Sequence, residues 1–193
     1  DSGLKTIARA EAEVDSYPEP AKSVMHSFLA QWYHLYLSGH LWQLRNTTEY
    51  TGPVGPDLRT WGIRHFVDKI NEHFKASLQW PGLKTAKIED NLLLLTDGQG
   101  TDELRPTLYD ILINRALDFY EGSENHLTQP IYAYTLTDVR AFTDATEFGK
   151  ISFPTDDSLD HVWQALVWHQ ELLAFRLQDN SHLAALLDAD LQR

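Results

Sequence analysis

The feature that most constrains the fold is a succession of apolar residues at helical spacing, interrupted by proline and glycine. In each stretch the apolar side chains recur at intervals of three and four residues, which places them on one face of an α-helix. Because every such face needs a partner to cover it, the pattern predicts a mostly α-helical chain of packed helices. The predicted buried faces are Met25, Phe28, Leu29, Trp32, Leu35 and Tyr36; then Ile63, Phe66, Val67, Ile70 and Phe74; then Leu108, Ile111, Leu112 and Phe119; then Leu159, Val162, Trp163, Leu166, Leu173 and Leu177.

The breaks between these stretches predict where the helices turn. Tyr17-Pro18-Glu19-Pro20 separates a short first helix from the second, because proline fixes φ and disfavours helix at the residue before it. Two helices joined by so short a turn form an antiparallel hairpin. Ser38-Gly39 is expected to end the second helix, Thr60 to cap the third, and Pro81-Gly82 to break the third.

The stretch around 127–154 departs from the helical pattern. Tyr132, Tyr134 and Leu136 alternate with smaller residues, which favours an extended segment, and Ile151-Ser152-Phe153 could pair with it. A lone strand pair is only marginally stable. We therefore expect one extended crossing segment in an otherwise helical fold.

The fold class predicted is all-α, with irregular antiparallel helical hairpins arranged as an α-solenoid of tetratricopeptide-like kind. The stretch Phe28 to Leu41 is similar to the first helix of a tetratricopeptide unit, although no 34-residue repeat is evident. At 193 residues, 1–193 is expected to be a single helical domain. The only methionine is Met25, and leucines keep helical spacing up to Arg193, so we interpret the chain as a fragment of a larger multidomain protein.

Charge and composition exclude several classes of function. The formal net charge is −12, whereas nucleic-acid binding needs a basic surface that releases counterions from phosphates. There is no cysteine, which excludes a disulfide scaffold, a thiol nucleophile and cysteine-ligated zinc. No apolar run approaches the roughly 20 residues that span a bilayer. We expect neither a nucleic-acid partner nor membrane insertion of this segment.

Nine histidines raise the question of a metal site. Three pairs lie eight residues apart within predicted helices, and eight residues climb about 12 Å, whereas a zinc ion needs its ligand atoms within about 2.1 Å. The spacing therefore argues against a shared metal. The pairs are His26/His34, His65/His73 and His161/His169.

The acidic group Asp156, Asp157 and Asp160 allows two interpretations. The three could bind a cation or supply an acid pair for hydrolysis. They also precede a predicted helix, where carboxylates cap the first turn and interact favourably with the helix dipole. We favour capping.

The six tryptophans also allow two interpretations. Trp32 and Trp163 fall on predicted buried faces and are expected in the core. The other four could be core residues or part of an exposed recognition surface; they are Trp42, Trp61, Trp80 and Trp168.

No motif indicates a reaction. A Gly-x-Ser-x-Gly nucleophile motif is absent from the sequence, and Gly98-Gln99-Gly100 is too short for a phosphate-binding fingerprint. We therefore predict a non-enzyme with no catalytic, cofactor-binding or metal-ligating residue and no cofactor. Its binding residues stay undetermined at this stage.

Several sequence blocks carry a family resemblance. The clearest is Leu104-Arg105-Pro106-Thr107-Leu108-Tyr109-Asp110, which continues to Arg115-Ala116-Leu117-Asp118-Phe119-Tyr120. Supporting blocks are Asp57-Leu58-Arg59-Thr60-Trp61, Ala76-Ser77-Leu78, Gln170-Glu171-Leu172-Leu173-Ala174-Phe175, and the set Ala184, Leu186, Asp188, Asp190 and Leu191. Together they resemble the N-terminal helical region of the large α2-macroglobulin-like proteins of certain Gram-negative bacteria.

The resemblance implies a role outside catalysis. Proteins of that family trap proteases when a bait segment is cleaved, and many use a Cys–Gln thioester, which this cysteine-free chain cannot hold. The resemblance implies a non-catalytic helical scaffold or interaction region of a large envelope endopeptidase inhibitor. It also implies a periplasmic or cell-envelope location, with lipid anchoring through a removed N-terminus. The partners it implies are other domains of the same chain, proteases and envelope proteins.

Two alternatives to that role stay open. A stand-alone helical module that binds peptides or proteins would explain the hairpin pattern and the undecided tryptophans. A helical hydrolase or metalloenzyme would require carboxylates or histidines to converge in one cleft.

Overall fold

The computed structural model describes residues 2–45, 54–55, 57–91, 103–122, 134–158, 160–179 and 181–193. Within these ranges the chain is mostly helical and contains no strand, only an isolated bridge between Lys87 and Thr107, so the all-α prediction is confirmed. The chain divides into two compact units, Asp1–Pro81 and Gly82–Arg193. The solenoid arrangement and the single domain stay predictions.

Unit 1 is built on two antiparallel helices. Its α-helices are α1 (Ser2–Glu13), α2 (Ala21–Arg45) and α3 (Ile63–Ser77). Ring contacts pair the start of α2 with the end of α3, His26 with His73, and the middle of α2 with the start of α3, Tyr36 with Phe66. The short first helix and the break before the second agree with the sequence.

The predicted buried face of α2 is wrong. Leu35 is exposed, and Met25, Phe28 and Trp32 are only partly buried. The face that is buried instead combines Leu29 with small, polar and other apolar side chains. These other buried residues are Ser23, Val24, His26, Ser27, Ala30, Tyr33 and Leu37. Hydrophobic spacing misassigned this face because hydrogen-bonded histidine and tyrosine side chains can be buried as well as leucine.

Two predicted helix boundaries in unit 1 are also wrong. α2 continues through Gly39 to Arg45, and α3 begins at Ile63 with Gly62, not Thr60, as its N-cap. The Thr60 hydroxyl instead donates to the carbonyl of Asp57, whose carboxylate caps a 3₁₀ turn. The buried face of α3 agrees better with the sequence, since Phe66, Ile70 and Phe74 are all buried.

Unit 2 is built around α6. Its α-helices are α4 (Leu108–Glu121), α5 (Ala145–Phe148), α6 (His161–Gln178) and α7 (Leu183–Gln192). α6 packs against each of the other three. Tyr109 contacts Phe175 and Phe119 contacts His161, so α4 and α6 run antiparallel.

The predicted extended crossing segment is wrong for residues 139–148. Residues 127–133 lie outside the described ranges, but Val139–Phe142 form a 3₁₀ turn and α5 follows it. Asp138 and Asp144 each accept backbone hydrogen bonds at the start of these turns. Local capping by aspartate therefore makes helical turns between the two stretches, 132–136 and 151–153, for which the sequence suggested extended backbone.

Polar side chains of α6 anchor this segment. The Gln170 amide donates to the carbonyls of Phe148 and Ile151, each at 2.8 Å, and the Trp163 indole donates to the carbonyl of Phe153 at 2.7 Å. The rings of Phe148 and Phe153 are buried beside α6. The segment is therefore held by contacts to a helix and not by strand pairing.

The last helix exposes its leucines. Leu183, Leu187 and Leu191 are exposed, while Ala185 and Ala189 are buried. The predicted helical spacing is confirmed by α7, but its fully buried residues are the two alanines, whereas Leu186 is only partly buried. No described helix combines the length and the apolar character that crossing a membrane requires.

Candidate functional site

The structure brings two histidines into contact, one from the pair His26/His34 and one from the pair His65/His73. Nδ1 of His26 on α2 lies 2.9 Å from Nδ1 of His73 on α3. Both residues are buried, His26 at 8% and His73 at 2% exposure. The spacing of eight residues within one helix had no role in this contact. The antiparallel packing of α2 on α3 produced it.

A carboxylate from α1 completes the group. Oε2 of Glu11 lies 2.8 Å from Nε2 of His73 and accepts a hydrogen bond from the Tyr33 hydroxyl at 3.1 Å. Its other oxygen, Oε1, accepts from Nζ of Lys69 at 2.9 Å. We call Glu11, His26, Tyr33, Lys69 and His73 the histidine cluster.

The electrostatics of the histidine cluster follow from these contacts. Burial opposes ionisation of Glu11, but the hydrogen bonds and charges of His73 and Lys69 outweigh it and lower the pKa of Glu11 to about 2. Burial and the neighbouring His73 lower the pKa of His26. Burial and the Glu11 carboxylate raise the pKa of the Tyr33 hydroxyl. The cluster thus keeps Glu11 charged and discourages a charge on His26.

The cluster has part of the geometry of a general base. A histidine held by a carboxylate on one nitrogen can take a proton with the other. In His73 that second nitrogen bonds to His26, and the side chain is almost completely buried. The arrangement therefore holds protons between helices and does not present a base to a substrate.

A second buried polar group joins α4 to α6 in unit 2. Nε of Arg176 donates to Oδ1 of Asp110 at 2.8 Å, and its Nη2 donates to Oδ2 of the same carboxylate. Nη1 donates to Asp179 at 2.7 Å, and the backbone N–H and hydroxyl of Thr107 donate to Asp110 at 2.9 and 2.7 Å. With His182, which lies 2.7 Å from Asp179, we call these residues the arginine cluster.

The guanidinium of Arg176 lies over the ring of Phe175. Its central carbon lies 4.3 Å from the centroid of the Phe175 ring, a distance at which a cation is attracted to the ring face. The hydrogen bond from the Ser181 side chain lowers the pKa of Asp179. Burial opposes this effect, but the hydrogen bond with His182 lowers the pKa further. The cluster is a fully hydrogen-bonded ion pair inside the helix contact.

The acidic group of the sequence does cap a helix. Asp160 is the N-cap of α6, with Oδ1 accepting from the backbone N–H of Trp163 at 3.0 Å and Oδ2 from that of Tyr134 at 2.9 Å. Asp156 is exposed. The capping interpretation is confirmed for Asp160. In the described parts of the chain, no group of three or more histidine, aspartate or glutamate side chains is placed to hold a metal ion.

The tryptophans divide differently from the prediction. Trp32 and Trp163 are partly buried, whereas Trp61 and Trp168 are buried in the core. The Trp61 ring stacks on Tyr33 at 5.8 Å, and its indole donates to the carbonyl of Gly55. Trp42 is 80% exposed.

Sequence reasoning missed both clusters. One signal was available: Thr107 and Asp110 have the spacing of a capping box, in which the third residue of the helix bonds back to the N-cap. Arg176 interrupts the apolar face of α6, which marks a charge that has to find a partner. For Glu11 and His73, 62 residues apart, no sequence signal existed.

Comparisons with protein-family models, with curated proteins and with solved structures found no match. The geometry of the two clusters and the resemblance of the sequence blocks are therefore the grounds for a functional proposal.

Proposed function

We propose that this chain is a non-catalytic helical scaffold and interaction region of a large envelope endopeptidase inhibitor of the α2-macroglobulin type. The observation that carries the proposal is where the resembling blocks lie. Residues 104–110 and 115–120 supply the capping box and the buried face of α4, and residues 170–175 supply the part of α6 that holds Leu172 and Leu173. The blocks therefore supply contacts between helices, which a scaffold requires.

The smaller blocks support the same interpretation. Residues 57–61 contain the Asp57 cap and the buried Trp61, and residues 76–78 form the end of α3 with the buried Ser77. In both units the buried titratable groups make contacts between helices. Their chemistry is used for packing, which favours a structural role over a catalytic one.

The exposed apolar side chains favour an interaction role. Leu183, Leu187 and Leu191 recur every fourth residue along α7, and all three are exposed. Exposed apolar residues on one helix face are typical of surfaces that contact other domains or proteins. The partners proposed are other domains of the same chain, proteases and envelope proteins, in the periplasm or cell envelope.

The test begins with the gene. Sequencing downstream of Arg193 is expected to reveal β-sandwich macroglobulin domains, and the parent protein is expected to trap an added protease in a gel-shift assay. A parent lacking residues 1–193 should capture less protease or leave its envelope complex, because its scaffold is missing. A stop codon directly after Arg193, or unrelated domains, would contradict the proposal.

A second candidate is a stand-alone helical module that binds peptides. The α7 leucines favour it, because an amphipathic peptide helix could cover them. Calorimetry of the 193-residue chain with amphipathic helical peptides would detect binding that Leu187→Glu abolishes and the change of another exposed residue, Asp156→Ala, does not. Absence of binding, together with macroglobulin domains downstream, would exclude this candidate.

A further inference from the structure

The two buried histidine rings of unit 1 meet nitrogen to nitrogen. Nδ1 of His26 and Nδ1 of His73 are 2.9 Å apart, with ring centroids separated by 5.2 Å. A hydrogen bond between two imidazole nitrogens requires one that carries a hydrogen and one that does not. This contact can therefore hold one hydrogen but not two.

The opposite side of His73 is fixed by Glu11. An ionised carboxylate only accepts hydrogen bonds, so Nε2 of His73, 2.8 Å from Oε2 of Glu11, carries a hydrogen. If His73 also carries a hydrogen on Nδ1, it is the cation and donates to a neutral His26. If it does not, His26 donates to it from Nδ1, and only His26 is able to carry a charge. In either arrangement the intact pair holds at most one positive charge.

The surroundings supply a counter-charge for one cation. Glu11 contacts His73 directly, and Lys69 already bonds to the other oxygen of that carboxylate. Asp15, the other carboxylate near His26, forms an ion pair of 2.6 Å with Lys22. The charged and titratable groups that face the pair are Glu11 of α1, Asp15 of the following turn, Lys22 and Tyr33 of α2, and Lys69 and Glu72 of α3.

We propose that the contact between His26 and His73 is a pH-sensitive switch that holds α2 against α3, and that a second proton at mildly acidic pH opens it. Two imidazolium rings cannot share the contact, since neither has a nitrogen left to accept. The buried position makes a second charge costly as well. Opening the contact exposes both rings to water.

The direction of the pH dependence follows from counting protons. In the unfolded chain both histidines titrate near about pH 6.5, so both are charged at about pH 5.5. The folded pair keeps one proton fewer. Stability increases with rising pH wherever the unfolded state binds more protons, so it decreases here as the pH is lowered. The stabilising contribution is complete above about pH 6.5 and is lost as the pH falls through that value. The stabilising contribution of Glu11 is lost in a separate, lower pH range. Folding lowers the pKa of Glu11 from 4.5 to about 2, so this contribution is lost only below about pH 4.5.

The experiment compares three proteins as the full 193-residue chain. His26→Asn keeps a polar group at the position of Nδ1 but cannot take a proton, and His34→Asn makes the same change eight residues further along α2. Urea unfolding followed by circular dichroism is measured from about pH 7.5 to about pH 5.5. For the unaltered chain and His34→Asn, the unfolding equilibrium constant should rise by up to about tenfold per pH unit below about pH 6.5, which corresponds to one proton. For His26→Asn the rise should be largely absent.

A second measurement needs no variant. In a nuclear magnetic resonance titration of ¹⁵N-labelled imidazoles, only one of the two rings should become cationic while the amides of α2 and α3 remain protected from exchange. Equal pH slopes for the unaltered chain and His26→Asn would overturn the proposal. So would two fully protonated rings in a chain whose amides are still protected at about pH 5.5, a result that decides the matter even if His26→Asn does not fold.

Discussion

Arg176 has no exposed surface, yet its guanidinium remains charged because arginine does not lose its proton in a protein. The guanidinium donates two parallel hydrogen bonds to Asp110, which is 2% exposed, and a third to Asp179. A buried pair of this kind repays the cost of leaving water only when each donor has an acceptor. Loss of one partner leaves the other charged and unsatisfied.

Arg176→Met should therefore lower the free energy of unfolding by about 3–5 kcal/mol, the usual cost of breaking a buried ion pair. Arg176→Lys should fall between this variant and the unaltered chain, since lysine keeps the charge but loses the two-pronged geometry. Urea unfolding near neutral pH measures both. Arg140→Met is the control: it removes the exposed partner of Asp138 and should change stability little. Similar losses in Arg176→Met and Arg140→Met would contradict the role given to burial.

The helices themselves differ in how well their sequences specify them. α3 and α4 begin and bury their apolar faces close to where periodicity predicts. α2 is the exception, because it passes through Ser38-Gly39 and buries a face that contains serine, histidine and tyrosine. The helix continues past Gly39 to Arg45 although the helix propensity of glycine is low.

Gly39→Ala should raise stability by about 0.5–1 kcal/mol, because alanine loses less backbone entropy in a helix. A β-carbon at this position would meet no atom within 4 Å, so the gain is not offset by a clash. The midpoint of thermal unfolding measures it. Gly39→Pro, which removes an amide hydrogen and clashes with the preceding turn, should have the opposite effect. A loss of stability in Gly39→Ala would mean that α2 ends at Ser38-Gly39, as periodicity predicted.

At the scale of the whole chain, charge acts over long distances. There are 28 acidic and 16 basic residues, giving a net charge of −12. Most ion pairs outside the two clusters are exposed and contribute little to stability; Arg9–Glu13 and Lys87–Glu89 are examples. Repulsion between the excess carboxylates should therefore outweigh surface attraction.

Added sodium chloride should raise the thermal midpoint at neutral pH, because the screening length shortens from about 30 Å at 0.01 M to about 10 Å at 0.1 M salt. The measurement is thermal unfolding over that range of salt. Arg176→Met, if folded, should respond with the same slope, since its missing ion pair is buried and poorly screened. A midpoint that falls with salt would show that surface ion pairs dominate after all.

The sequence by itself determined the helical class, the end of α1, the buried face of α3, the position of α4 and the capping by Asp160. These features depend on periodicity, proline and capping, which act over a few residues and can be seen in a linear pattern. The tertiary structure alone decided that His26 meets His73 beside Glu11, that Asp110 holds Arg176, and which face of α2 is buried. These contacts join residues 47, 62 and 66 positions apart. A polar side chain becomes a core residue only when a distant partner satisfies it, and the local sequence does not specify that partner.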